Sequence, residues 1–148
     1  EDVVADREAK LAEKLEAMKK RKSKLVDPLQ YELSIQSQDL SGYVPAFGWE
    51  SNPPTAQQKK DLEKRGINPD AVESAGKAEQ ILRAVAQRQQ SGLATPKQIR
   101  CLEKYGFQHV GGWKFDAAKN LINRIAANGW RVPRTISAAE YVPTEVNG

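Results

Sequence analysis

The chain contains one segment twice. Thr55 to Gln87 aligns without a gap on Thr95 to Ala127, forty residues further on. Thr55/Thr95, Gln58/Gln98, Leu62/Leu102, Glu63/Glu103, Lys64/Lys104, Gly66/Gly106, Ala78/Ala118 and Ala86/Ala126 are identical, and Ile67/Phe107, Ile81/Leu121, Leu82/Ile122 and Val85/Ile125 are similar. A period of this length points to a helical repeat unit, and two copies fall short of an extended solenoid. Each copy opens with a capping box, Thr55 with Gln58 and Thr95 with Gln98, in which the Thr oxygen takes the third amide and the Gln returns to the cap. Pro96 suits a first helical position. The helix runs about ten residues and stops at Gly66 or Gly106, where a left-handed backbone costs least. A loop of about seven residues follows. A second helix then turns Ala78, Ile81, Leu82 and Val85, or Ala118, Leu121, Ile122 and Ile125, to one side. Ser74 caps that helix in copy one; Lys114 stands at the matching place in copy two, with Asp116 in the first turn as partial compensation.

One such module buries too little surface to be stable alone. The expected fold is therefore all-α: two tandem helix–loop–helix repeats packed on each other, with an aromatic and proline-rich strap and a charged N-terminal helix. The boundaries are 1–26 for a charged lead-in helix, 27–54 for a short helix and the strap, 55–94 for copy one, 95–134 for copy two and 135–148 for a flexible tail. In the lead-in, Leu11, Leu15 and Met18 form a narrow stripe, and Lys19, Lys20, Arg21, Lys22 and Lys24 gather at the end, where the helix dipole favours cations. Asp27-Pro28 reads as a cap and first residue of a helix reaching about Ile35, with Leu29, Leu33 and Tyr31 as candidates to face inward. Prolines exclude regular helix from 41–54; Phe47 and Trp49 should pack the strap on the core, and Trp130 should close its end. The chain opens at Glu1 and its one methionine is Met18, so it reads as a piece of a longer protein.

The net charge is +4, and its distribution is uneven. Residues 95–134 carry 8 Lys/Arg against 2 Asp/Glu, a net +6, whereas 1–54 and 135–148 are each −2. Such a stretch is either a polyanion-facing patch or a well-solvated surface. Lys97, Arg100 and Lys104 fall on one face of a helix, behind free amides that could seat a phosphate. Lys114, Lys119, Arg124 and Arg131 add charge. Aromatics are interleaved in copy two and absent from copy one between Thr55 and Ala94. Phe107 and Phe115 are core candidates; Trp113 and His109 are open to packing or to stacking on unpaired bases. Gly111-Gly112 would allow close backbone approach. Copy one would be the packing partner, with Lys59, Lys60, Lys64 and Arg65 as a secondary patch.

Two resemblances accompany this pattern. Leu62-Glu63-Lys64-Arg65-Gly66-Ile67, a loop and Lys77-Ala78-Glu79-Gln80-Ile81-Leu82 resemble the DNA-binding SAP and helix–extended-loop–helix modules. Leu93-Ala94-Thr95-Pro96-Lys97-Gln98-Ile99-Arg100, Tyr105-Gly106-Phe107, Ile125-Ala126-Ala127-Asn128-Gly129-Trp130-Arg131-Val132-Pro133 and Tyr43-Val44-Pro45-Ala46-Phe47-Gly48-Trp49-Glu50 resemble the C-terminal accessory region of DEAD/DEAH-box (superfamily 2) helicase-like proteins of phages and mobile elements, over roughly 27–134. Lys114 and Gly48 depart from that pattern, where Ser/Thr and a basic residue are expected. The resemblance implies a non-catalytic accessory domain of an ATP-dependent DNA helicase, with ATP and magnesium confined to the absent core; the lone cysteine fits a cytoplasmic location, and the chain is expected to be monomeric. Its partner would be nucleic acid, DNA more than RNA, bound non-specifically through Lys97, Arg100, Lys104, Lys114, Lys119, Arg124, Trp113, His109 and Arg131. The alternative is a protein–protein interaction module docking on the helicase core or a replication partner.

The residues themselves offer no catalytic motif. Gly76-Lys77 lacks the other P-loop positions, which are Ala71 and Ala78. His109 is the one histidine and Cys101 the one cysteine, which leaves no residues for a multi-histidine zinc site or an internal disulfide. No apolar run approaches a membrane span.

Overall fold

The computed structural model describes residues 2–46 and 48–143. It is all-helical, and among the described residues no strand or sheet forms. Helix α1 (Asp2–Ser23) leads into α2 (Pro28–Ser34), the one-turn helices α3 (Gln38–Ser41) and α4 (Gly48–Ser51), α5 (Ala56–Lys64) and α6 (Ala75–Gln90). Then come α7 (Pro96–Lys104) and α8 (Phe115–Ala127). None is long and apolar enough to cross a membrane.

The forty-residue spacing recurs in the hydrogen bonds. Thr55 accepts from the Gln58 amide and Thr95 from that of Gln98, and each Gln returns to its cap. The same glutamines reach the following helix: Gln58 Nε2 donates to Ala75 O (3.0 Å) and Gln98 Nε2 to Phe115 O (3.4 Å). Gly66 and Gly106 have φ of 84° and 93°. Ile67 and Phe107 amides donate back to Leu62 and Leu102 carbonyls, closing each first helix with a Schellman turn. Ser74 caps α6 with its side chain, and Lys114 gives α8 no side-chain cap. The two apolar faces meet in one core that includes Leu62, Ile67, Ile81, Leu102, Phe107, Leu121 and Ile125.

Helix α1 is exposed along its apolar stripe, Leu11, Leu15 and Met18 included. Its end is anchored by Arg21–Glu63 (2.7 Å) and by Lys22–Asp70. In α2 Tyr31 is buried as expected, but it is joined by Glu32 and not by Leu29 and Leu33, which are 60% and 61% exposed. Glu32 turns inward because the Lys77 ammonium meets it at 3.0 Å, a pairing that a buried carboxylate requires.

The strap also differs. Prolines 45, 53 and 54 bracket a helical turn at α4 and do not exclude helix throughout 41–54. Trp49 is 53% exposed, and Phe47 lies outside the described residues. The strap is held instead by Tyr43, whose hydroxyl donates to Glu50 over Gly76; a Cβ at Gly76 would sit 2.0 Å from that hydroxyl. The tail is not free as far as Pro143. Ile136 and Ala138 pack on the core, and Tyr141 stands edge-on to Phe107 and Trp113, each pair 5.6 Å between centroids.

Candidate nucleic-acid interface

Helix α7 positions the site. Its capping box sets the first turn, and Ile99 and Leu102 anchor one side in the core. With that side buried, Lys97, Arg100 and Lys104 emerge together on the other. They line a groove of about 810 Å³ together with Lys24, Cys101, Tyr105 and Trp130. Among the described residues no carboxylate lines it.

Each cation is held differently. The Lys97 stem crosses Gly66, where a Cβ would be 2.9 Å from its methylenes; the left-handed glycine makes room for the lysine as well as for the turn. Arg100 is half-buried and donates from Nη1 to Leu25 O (3.1 Å) and from Nη2 to Ser23 O (3.0 Å). It thereby caps the end of α1 and brings Lys24 to the groove, with guanidinium donors and its full charge to spare. Lys104 is exposed, and among the described residues neither it nor Lys97 forms an ion pair.

Trp130 reaches the groove through a chain reversal. After α8, Gly129 (φ 70°) and Trp130 (φ 61°) are both left-handed, and the Trp130 amide donates to Ile125 O at 2.9 Å. The indole is left 56% exposed and does not close the core. Tyr105 Oη donates to Trp130 O at 3.0 Å, tying the reversal to α7. Cys101 lies in the groove wall, where burial pushes its thiol pKa up and the Lys104 charge opposes that shift.

The other expected site residues lie elsewhere. Trp113 is 5% exposed and stacks edge-on to Phe107, so it is core and unavailable to a base. Phe115, expected in the core, is 39% exposed at the start of α8. His109 is exposed in the loop with φ 59°. Lys114, Lys119, Arg124 and Arg131 are exposed, but none lines the groove. Gly111 serves the fold: a Cβ there would lie 2.1 Å from Ser34 O. The glycine lets α2 approach, and the approach expected of it, to a nucleic acid, is not available.

Lys24 and Trp130 complete the groove: Trp130 was expected to close the core, and Lys24 was expected only in the basic cluster ending the lead-in helix, a lead-in, coiled-coil or nucleic-acid contact. For Trp130 the signal was local, since Asn128-Gly129 after an apolar helix is a helix stop that can throw the next side chain outward. Among the described residues no cluster of His, Cys, Asp and Glu could hold a metal. The chain matches no family model, no curated protein and no solved structure.

Proposed function

We propose that this chain is a non-catalytic nucleic-acid-binding module that holds a strand without sequence preference along the α7 groove, as an accessory domain of an ATP-dependent DNA helicase. One observation carries the reading: Lys24, Lys97, Arg100 and Lys104 line a single groove without a carboxylate, beside an exposed indole. Cations spaced along a groove follow a phosphate backbone, and an exposed aromatic stacks on an unpaired base whatever its identity, worth about 1–3 kcal/mol per base. The combination suits a single strand better than a duplex, whose bases are already stacked. The helicase context rests on the resemblance of 27–134 described above.

Titration of labelled single- and double-stranded oligonucleotides tests it. Lys97→Ala/Lys104→Ala should weaken binding of every sequence alike, and Trp130→Ala should weaken the single strand more than the duplex. Binding by wild type weaker than about 1 mM at low salt, in the range of negligible non-specific affinity, or no loss in either variant, would reject the proposal.

A second reading is supported by the exposed Leu29 and Leu33, one turn apart on α2, with Val44 76% exposed in the strap. Two leucines left in water one turn apart on a helix offer an apolar contact for a protein partner. On this reading α2 and the strap dock on the helicase core. Leu29→Glu/Leu33→Glu would then abolish association with that core and leave oligonucleotide binding intact.

A further inference from the structure

Helix α1 leaves the body with its apolar side uncovered. Its end is fixed by Arg21–Glu63, by Lys22–Asp70 and by Arg100 on the Ser23 and Leu25 carbonyls, yet every residue over 3–21 is exposed. Val4, Leu11, Leu15 and Met18 follow one another at intervals of seven, four and three residues, the spacing of a coiled-coil seam. None is covered, from 43% exposure at Met18 to 59% at Leu11. The 22 residues of α1 extend about 33 Å at 1.5 Å per residue, roughly three heptads. Such a seam is buried when a second helix lies along it.

The charges beside the seam say which helix. In a heptad lettered a to g, with a and d in the seam, Val4, Leu11 and Met18 stand at d and Glu8, Leu15 and Lys22 at a. The adjoining g positions are Arg7, Lys14 and Arg21, all basic, and the e positions are Ala5, Ala12 and Lys19. Arg21 is taken by Glu63 and Lys10 by Asp6, but among the described residues Arg7 and Lys14 form no ion pair. A second copy matches poorly. In a parallel pair Lys14 meets Lys19 and Glu8 faces Glu8, and in an antiparallel pair the basic g rows meet each other. A bare polyanion fits no better, because residues 2–18 carry five carboxylates against three cations, a net −2. The unpaired positive charge lies along one edge of the seam.

We propose that α1 docks an acidic amphipathic helix of a partner protein. The partner lays an apolar seam on Val4, Leu11, Leu15 and Met18 and sets Glu or Asp on its flanks against Arg7 and Lys14. A Lys or Arg opposite Glu8 fixes the register, since one charged seam position specifies alignment at a cost in stability. The docking does not depend on the groove's function, because neither Arg7 nor Lys14 lines the groove.

Two synthetic helical peptides of about three heptads test it by calorimetric titration into the whole chain. Both carry Leu and Ile in the seam and a Lys opposite Glu8; one has Glu at both flanks and the other Lys. The Glu-flanked peptide should bind at least about tenfold more tightly, as opposite against like charges at the flanks require. Arg7→Glu/Lys14→Glu should reverse that order. Leu11→Gln/Leu15→Gln should abolish binding of both peptides at an unchanged melting temperature, because those side chains are already in water. Both variants should keep the oligonucleotide affinity of wild type, whatever that affinity is, so failure here and failure of the groove reading are separable. Affinity for the Glu-flanked peptide weaker than about 100 μM, equal binding of the two peptides, or an order that Arg7→Glu/Lys14→Glu does not reverse overturns the proposal. So does a dimer in sedimentation equilibrium that Leu11→Gln/Leu15→Gln dissolves, which would assign the seam to a second copy. Binding to phosphatidylserine-containing vesicles that the same variant loses would assign it to a bilayer, and loss of oligonucleotide affinity in Arg7→Glu/Lys14→Glu would assign its basic edge to nucleic acid; either result also overturns it.

Discussion

Adjacent glycines in the copy-two loop provide a controlled perturbation of the junction between that loop and α2. Gly111 and Gly112 share a short turn, and neither has a positive φ, so alanine is sterically admissible in the backbone sense at both. Their surroundings differ sharply. A Cβ at Gly112 meets nothing within 4 Å, whereas one at Gly111 lies 2.1 Å from Ser34 O and 3.1 Å from Ile35 Cα. Ordinary contact begins at 3.4 Å, so the end of α2 must retreat by 3.4 − 2.1 = 1.3 Å. That retreat pulls Ser34 Oγ from the Glu103 carboxylate, which it reaches at 2.8 Å, and disturbs the Gly111 carbonyl that holds Arg88. Overpacking of this kind costs about 1–3 kcal/mol, and lost hydrogen bonds can take it further. Gly112→Ala should instead stabilise by about 0.4–1 kcal/mol, by restricting the unfolded chain. At about 3–4 °C per kcal/mol for a domain of this size, the two variants should melt about 5–15 °C apart, on opposite sides of wild type. Differential scanning calorimetry reads this directly. If Gly111→Ala melts within a degree of Gly112→Ala, α2 is not seated against that loop as described.

Three further outcomes are expected. If the four groove cations each neutralise one phosphate of a single strand, the log–log salt slope should be about −2.8, a loss of roughly 50-fold between 50 and 200 mM salt, falling by about 0.7 per Lys→Ala; a flat salt response would show that the groove cations do not meet phosphate. Trp113→Ala should cost about 3–5 kcal/mol in denaturant unfolding as a large core truncation, whereas Trp130→Ala should leave stability nearly unchanged; the reverse order would mean the two indoles have been given each other's roles. Tyr43 donates to the Glu50 carboxylate, which pushes its pKa up to about 12 from an ordinary 10.0. A group whose folded pKa is raised contributes stability that is complete below pH 10 and is lost as pH climbs from 10 to 12. Tyr43→Phe should therefore flatten the alkaline limb of a stability–pH curve in that window, and an unaltered limb would exclude the bond.

The elements whose determinants are local were legible in the residues. Thr55/Gln58, Thr95/Gln98, Asp27-Pro28, Gly66 and Gly106 place helix ends through bonds no more than a few residues long, and the structure has them where those patterns put them. The triad Lys97, Arg100 and Lys104 was legible for the same reason: helical periodicity alone puts three side chains on one face. Arg124, Lys114, Lys119 and Arg131 were grouped with them by net charge, which carries no direction. Trp113 and Trp130 were assigned by residue type, and type does not distinguish a loop indole enclosed by Phe107 and Tyr141 from one carried past a left-handed turn.

The sequence by itself determined an all-helical chain, the helix stops, and a basic face on α7, because capping, glycine conformation and the 3.6-residue period act within a turn or two. Only the tertiary structure decided which side of α2 is buried, since Lys77 lies far along the chain from the Glu32 it pairs with. It likewise decided that Arg100 would cap α1 and bring Lys24 into the groove, and that Tyr31 would be enclosed beside Arg88. These are meetings between groups distant in sequence. Each is set by how the two helix pairs close on a shared core, and no local propensity encodes that closure.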